Sequence, residues 1–180
     1  MLDPAFGYLI IIGIALLFAG AGAHKVRDFA RFTEVFAAYR MLPDASARRI
    51  AWLIPALEFG VAISLVFHSG RRVAVPTAIA LLIAYAAGIG LNLLRGRRDL
   101  DCGCGGPRDR RPIAAWMVWR NLSLAVVLGL AALPWSPRPL DSTDFLTIMG
   151  GLIAGAALYA AVDRLLGDVA PKALLLRGTS

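Results

Sequence analysis

The sequence predicts an all-α integral membrane protein, a helical bundle of five (at least four) transmembrane helices with one interfacial amphipathic helix. Hydrophobic residues make up 58% of the 180 residues and charged residues 17%, and the mean hydropathy is +0.67. That balance is too apolar for an ordinary soluble domain. Five stretches carry it, and each is long enough, or nearly so, to cross roughly 30 Å of hydrocarbon as a helix. They are residues 6–23, 50–67, 73–94, 113–133 and 145–162.

The segment after the first span, residues 26–41, is predicted to be the amphipathic helix. Phe29, Phe32, Phe36 and Tyr39 recur there at helical spacing among charged residues. Such a stripe suits a helix that lies on the membrane surface, and it suits equally a helix that packs on the bundle. The first span is interpreted as a retained helix, because a signal peptide carries positive charge before its apolar core and this segment has none there.

The cations are distributed unevenly between the loops. The loops after the first and third spans and the C-terminal tail hold fifteen Lys and Arg residues, whereas the other loops hold three. Cytoplasmic loops carry such an excess in membrane proteins. The whole chain, residues 1–180, is therefore interpreted as one domain in a bacterial inner membrane, with its N-terminus outside and its C-terminus inside. This alternation favours the lipid bilayer, and not nucleic acid, as the partner of the basic loops.

The two cysteines, Cys102 and Cys104, lie in an arginine-rich loop, residues 95–112. The single Gly103 between them leaves the backbone free to close a small disulfide ring. A strained ring of this kind is easier to reduce and to exchange than a structural disulfide. Cys102 and Cys104 are therefore the candidate redox-active pair, and the nearby arginines favour the thiolate, which is the species that attacks.

Two charged side chains are predicted at similar depth inside the membrane. Glu58 lies in the second span, and Arg120, followed by Asn121, lies in the fourth. Both charges are expected roughly 12 Å below the face that carries the cysteine loop, at about 1.5 Å per residue. An isolated charge there costs at least about 2.5–3.5 kcal/mol, so we expect Glu58 and Arg120 to contact each other or to share one polar ligand. Two interpretations stay open: a pair that fixes helix register, or a polar cavity that admits a quinone head group or guides a proton.

His24 and Lys25 end the first span on the same face as the cysteine loop and are candidate supporting residues. A single Lys or His at an interface is commonly solvated, with its stem covering apolar surface. Two thiols and one nearby His are too few for a structural zinc site, which takes four ligands. No metal is therefore expected.

Five short motifs along the chain occur together in a known family. They are Ala-Gly-Ala-His-Lys-Val at 21–26, Leu-Pro at 42–43, Ile-Pro-Ala-Leu-Glu at 54–58, Cys-Gly-Cys-Gly-Gly at 102–106 and Trp-Arg-Asn-Leu at 119–122. With these motifs the chain resembles the MauE family within the DoxX-like membrane proteins, over nearly all of its length up to the fourth span. The most specific element is the Cys-Gly-Cys loop followed by an Arg-Asn pair. Gly105 departs from the family pattern, in which a phenylalanine often follows the second cysteine.

The resemblance implies a role in maturing a periplasmic enzyme such as methylamine dehydrogenase, whose small subunit is rich in disulfides, together with a thioredoxin-like partner. The preferred hypothesis is therefore a membrane thiol–disulfide redox or maturation factor. One alternative is a non-redox membrane scaffold or small-solute carrier with a structural Cys-Gly-Cys loop. The other is an oxidoreductase that couples disulfide formation to quinone as a cofactor. A periplasmic client favours thiols on the outer side, against the charge count, so the side of the loop stays open.

Overall fold

The structure, a computed structural model, describes residues 1–102 and 112–177, with side chains up to residue 166 except those of Asp44 and His68. Within those residues the chain forms seven α-helices and one short 3₁₀ turn at His68–Gly70, with no strand. The predicted all-helical class is confirmed. The helices are α1 (Pro4–Arg27), α2 (Phe29–Ala38), α3 (Asp44–Ile50), α4 (Leu53–Val66), α5 (Arg71–Leu94), α6 (Ala115–Leu130) and α7 (Ser142–Arg177).

Four helical segments in the described part of the chain are long and apolar enough to cross a membrane. They are Pro4–Arg27, Ala45–Val66, Arg71–Leu94 and Ser142–Leu166. The second of them joins α3 and α4 into one apolar run. The fourth predicted span forms α6, whose 16 residues rise only about 24 Å and so fall short of a bilayer core of roughly 30 Å. The prediction of at least four membrane-spanning helices is confirmed.

The bundle is assembled around α1. This helix packs against α4, α6 and α7, while α5 packs on both α4 and α6. Large side chains such as Ile11, Leu65 and Leu128 are fully buried, and alanines such as Ala15 and Ala78 fill the contacts between helices. In lipid, where the tails are as apolar as leucine, such close packing rather than transfer from water holds helices together.

An ion cluster ties the helix ends together on the side of the N-terminus. Arg138 donates to both carboxylate oxygens of Asp3, at 2.9 Å each, and to both oxygens of Asp144, at 2.6 and 2.8 Å. Asp3 also caps α1 by accepting from the backbone N–H of Ala5. The hydrogen bonds from Arg138 and Ala5 lower the pKa of Asp3. This end of the bundle therefore joins the N-terminus, the loop after α6 and the start of α7.

Candidate functional site

The segment that carries Cys102 is held at the start of α6 by backbone pairing. Asp101 and Pro112 form an antiparallel bridge, and the N–H of Ile113 donates to the carbonyl of Leu100 at 2.9 Å. Cys102, which is half-buried, packs beside a small apolar cluster that includes Ile113. Cys104 and the rest of residues 103–111 lie outside the described part of the chain. The base of the predicted redox loop is thus fixed to the helical bundle.

Residues of the amphipathic helix α2 and its C-terminal end also contact the segment that carries Cys102. The hydroxyl of Tyr39 donates to the carbonyl of Cys102 at 3.4 Å, and Arg31 forms an ion pair with Asp101. Phe32 packs on the bundle, with its ring centroid 5.7 Å from the Lys25 ammonium. The contacts of Phe32 and Tyr39 therefore favour the interpretation in which α2 packs on the bundle.

Asn92, which is fully buried in α5, anchors the C-terminal end of α2. Its amide nitrogen donates to the carbonyls of Tyr39 at 3.2 Å and Gly88 at 3.0 Å, and its oxygen accepts from Arg97 at 2.9 Å. Arg97 also donates to the carbonyl of Ala38 at 2.8 Å. Both groups hold the last turn of α2, and with it Tyr39, against the bundle.

We expect Asn92→Leu to loosen that turn, because it removes the donor from the Tyr39 carbonyl and costs about 1–3 kcal/mol. Trypsin should then cleave after the neighbouring Arg40 several-fold faster in detergent, measured by the rate of fragment appearance on a gel. Thr77→Val is the control, since the exposed Thr77 hydroxyl bonds only to Val73 of its own helix. Equal cleavage rates in the two variants would contradict an anchoring role for Asn92.

A buried ion pair joins α1 to α4. The Lys25 ammonium lies 2.6 Å from Oε1 of Glu58, and the two side chains are 7% and 0% exposed. The hydroxyl of Tyr85 on α5 donates to the same oxygen at 2.8 Å, and the Lys25 ammonium lies 5.5 Å from the Tyr85 ring centroid. Oε2 of Glu58 is buried and has no hydrogen-bond partner among the described residues. Glu58 therefore keeps acceptor capacity that is not used by the protein groups around it.

The predicted direct contact between Glu58 and Arg120 is wrong, whereas the alternative that they share one polar ligand stays a prediction. Lys25 is the cation beside Glu58, and Asp163 on α7 is the carboxylate beside Arg120, with 2.9 Å between Nη1 and Oδ1. Equal depth does not fix the direction in which a side chain leaves its helix. Since α4 packs mainly between α1 and α5, Glu58 meets Lys25 instead.

Arg120 lies among aromatic rings at the start of α6. Its guanidinium carbon is 5.3 Å from the Trp116 ring centroid and 6.0 Å from that of Tyr159. The next residue, Asn121, is buried and donates to the carbonyl of Met117, one turn earlier in its own helix, at 2.8 Å. These contacts fix both residues of the Arg-Asn pair that the sequence singled out.

One cavity of about 350 Å³ collects these groups. It lies between α1, α4, α5, α6 and α7, and Cys102 forms part of its wall. Every predicted site residue within the described part of the chain lines it. Those residues are His24, Lys25, Glu58, Cys102, Arg120 and Asn121. A polar cavity beside Cys102 was one of the two interpretations left open above, and Glu58 and Arg120 share it without touching.

Three lining residues were missed by the sequence reasoning. Tyr85 is a single hydroxyl in the long apolar helix α5, and Tyr159 and Asp163 stand four residues apart on α7. Asp163 follows directly after the predicted end of the fifth span at residue 162. The spacing of Tyr159 and Asp163, which puts both on one helix face, was the available signal.

Comparison with known proteins gives a consistent match. The family model described as methylamine utilisation protein MauE matches residues 3–134. The chain is 36% identical over 157 residues to methylamine utilization protein MauE of Paracoccus denitrificans, covering 87% of this chain and 83% of that protein. It is 33% identical over 172 residues to the protein of the same name from Methylophilus methylotrophus, covering 94% and 90%. No solved structure gives a significant match.

Proposed function

Because the chain belongs to the MauE family, whose members are membrane proteins named for methylamine utilisation, we propose that it is a thiol–disulfide redox factor of that process. Cys102 and Cys104 are the redox pair. The proposed client is a periplasmic enzyme such as methylamine dehydrogenase, and the proposed exchange partner is a thioredoxin-like protein. The supporting observation is that Cys102 is fixed at the wall of a cavity that holds two buried or half-buried ion pairs.

The exchange chemistry needs only the two cysteines and a partner dithiol. A partner thiolate attacks one sulfur of the Cys102–Cys104 disulfide, so that a mixed disulfide forms and the ring bond breaks. The second partner thiolate then attacks the mixed disulfide, which leaves the partner oxidised and Cys102 and Cys104 reduced. Glycine between the cysteines permits the tight ring that makes the first attack favourable.

The cysteines supply a direct test of this proposal. We expect Cys102→Ser or Cys104→Ser to leave one thiol that accumulates a mixed disulfide with its partner, visible on a non-reducing gel, and to abolish client maturation. The double variant is the control, because the chain has only these 2 cysteines and no adduct can then form. Normal maturation of the client in the double variant would instead support the alternative of a non-redox scaffold or small-solute carrier.

The orientation that we propose follows the cation distribution, with the N-terminus outside and Cys102 on the cytoplasmic side, so that electrons from a periplasmic client pass across the membrane to reach the cysteines. A membrane-impermeant thiol reagent applied to intact cells tests it. Protection of both cysteines until the cells are lysed is expected. Labelling in intact cells would reverse the orientation and would place the thiols where a periplasmic client meets them directly.

A further inference from the structure

The geometry points to a binding site for the head group of a membrane quinone in the cavity beside Cys102. The inference deepens the proposed function, because it names the molecule that takes electrons from the reduced cysteines. It rests on three features of the cavity: a side opening within the membrane, a floor of buried polar groups, and a volume suited to one ring.

The opening lies between α1 and α7. These helices touch early in their course, where a Cβ on Gly151 would lie 2.9 Å from Leu9, and one on Gly13 would lie 3.7 Å from Leu152. Further along both helices, the contact is lost. On α1, Leu16 is 60% exposed and a Cβ on Gly20 would meet nothing within 4 Å. On α7, residues 153–158 are exposed. Leu16 and Gly20 both line the cavity. A ligand therefore reaches it from the lipid, and a long apolar tail can remain there.

The floor is matched to a group that both donates and accepts hydrogen bonds. Oε2 of Glu58 is buried and has no partner among the described residues, whereas a buried acceptor ordinarily finds a donor. A quinol hydroxyl supplies that donor. The cationic side chains of Lys25 and Arg120 also line the cavity and can donate to quinone carbonyl oxygens. The acyl tail of a lipid has neither a hydroxyl nor a carbonyl group that could form these hydrogen bonds.

The volume of about 350 Å³ is at the small end of ligand pockets, which run from roughly 300 to 1,000 Å³. It suits one substituted ring and leaves the tail outside. The electron balance agrees with this occupant. Two thiols that join as a disulfide release two electrons and two protons, and a quinone that takes up both becomes a quinol. No further oxidant is needed at this step.

Binding can be measured without relying on the redox chemistry. We expect purified protein in detergent to bind decylubiquinone, measured by calorimetry against protein-free micelles, and to bind an alkylbenzene of equal chain length far more weakly. If the native chain binds decylubiquinone but the cysteine pair proves inert in cells, the proposed function fails and the binding site stands.

Two glycines supply a matched pair of variants. Gly20→Leu places a side chain in the cavity mouth and should weaken binding at least about tenfold. Gly60→Leu makes the same change on an exposed face of α4 that also has open space, and it should bind normally. No binding by the native chain, or equal binding by both variants, would overturn the inference.

Photolabelling of the native chain with an azidoquinone is independent of how the variants fold. The label should attach to α1 between Leu16 and His24, or to α7 near Tyr159. Attachment mainly around Trp52 and Phe59, which line a separate apolar pocket, would also overturn the inference.

Discussion

We expect Lys25→Met to reduce the folded protein recovered from membranes more than any other single loss of a cation on α1. The change leaves the Glu58 carboxylate buried without its cation, and breaking one side of a buried ion pair costs about 3–5 kcal/mol. Thermal unfolding in detergent, followed by loss of the monodisperse peak, measures the effect. Arg27→Met is the control, because Arg27 is exposed two residues further along the same helix.

The matching double variants identify the true partner. Lys25→Met combined with Glu58→Gln removes both charges, and we expect it to recover much of the lost stability. Glu58→Gln combined with Arg120→Gln should be no more stable than Glu58→Gln alone, because Arg120 pairs with Asp163. Recovery by the Arg120 combination and not by the Lys25 combination would contradict the pairing described here.

The second large effect is expected at the opposite end of α1. A Cβ on Gly7 would lie 2.6 Å from two ring carbons of Trp135, so Gly7→Ala should destabilise the protein by about 1–3 kcal/mol. The Trp135 ring cannot easily move. Its N–H donates to the carbonyl of Ala131 at 3.0 Å, its ring meets Tyr8 edge-on at 5.1 Å, and Arg71 lies 5.2 Å above it.

Gly129→Ala is the matched control for Gly7→Ala. Both glycines lie within helices, so both variants gain up to about 1 kcal/mol of helix propensity. A Cβ on Gly129 meets nothing within 4 Å, so only the Gly7 variant suffers a clash. The difference between the two unfolding temperatures therefore isolates the contact with Trp135. A Gly7 variant at least as stable as the Gly129 variant would show that the Trp135 ring moves aside without loss of stability.

The sequence predicts the membrane class well because hydropathy is additive along the chain. It predicts less about pairing, since depth follows from counting residues but the direction of a side chain around its helix does not. Lys25 illustrates the gap. Its position near a helix end suggested a solvated ammonium, yet α2 covers that end and buries it at 7% exposure. Asp163 was missed for a related reason, because α7 continues as a helix beyond the apolar stretch that marked it.

The prediction for the cysteine loop came from the spacing of Cys102 and Cys104, of which Cys102 lies in the described part of the chain. Cys102 has a defined place, fixed by the bridge between Asp101 and Pro112 and by the hydroxyl of Tyr39. Neither contact is visible in the motif itself, since Tyr39 lies 63 residues earlier in the chain. The motif predicts a redox role for the cysteines, and long-range packing determines what surrounds Cys102.

The Lys25–Glu58 pair also bears on how the chain is inserted during synthesis. Lys25 precedes Glu58 by 33 residues, so α1 and its cation leave the ribosome first. The ammonium can wait at the interface, because it stands in the last turn of α1, whereas the carboxylate must enter the bilayer with the apolar run of α4. We expect Glu58 to enter the membrane next to a cation that is already in place on α1. We therefore expect docking of α4 on α1 to stabilise the acidic helix in the membrane, and the hydroxyl of Tyr85 on α5 to add to that effect.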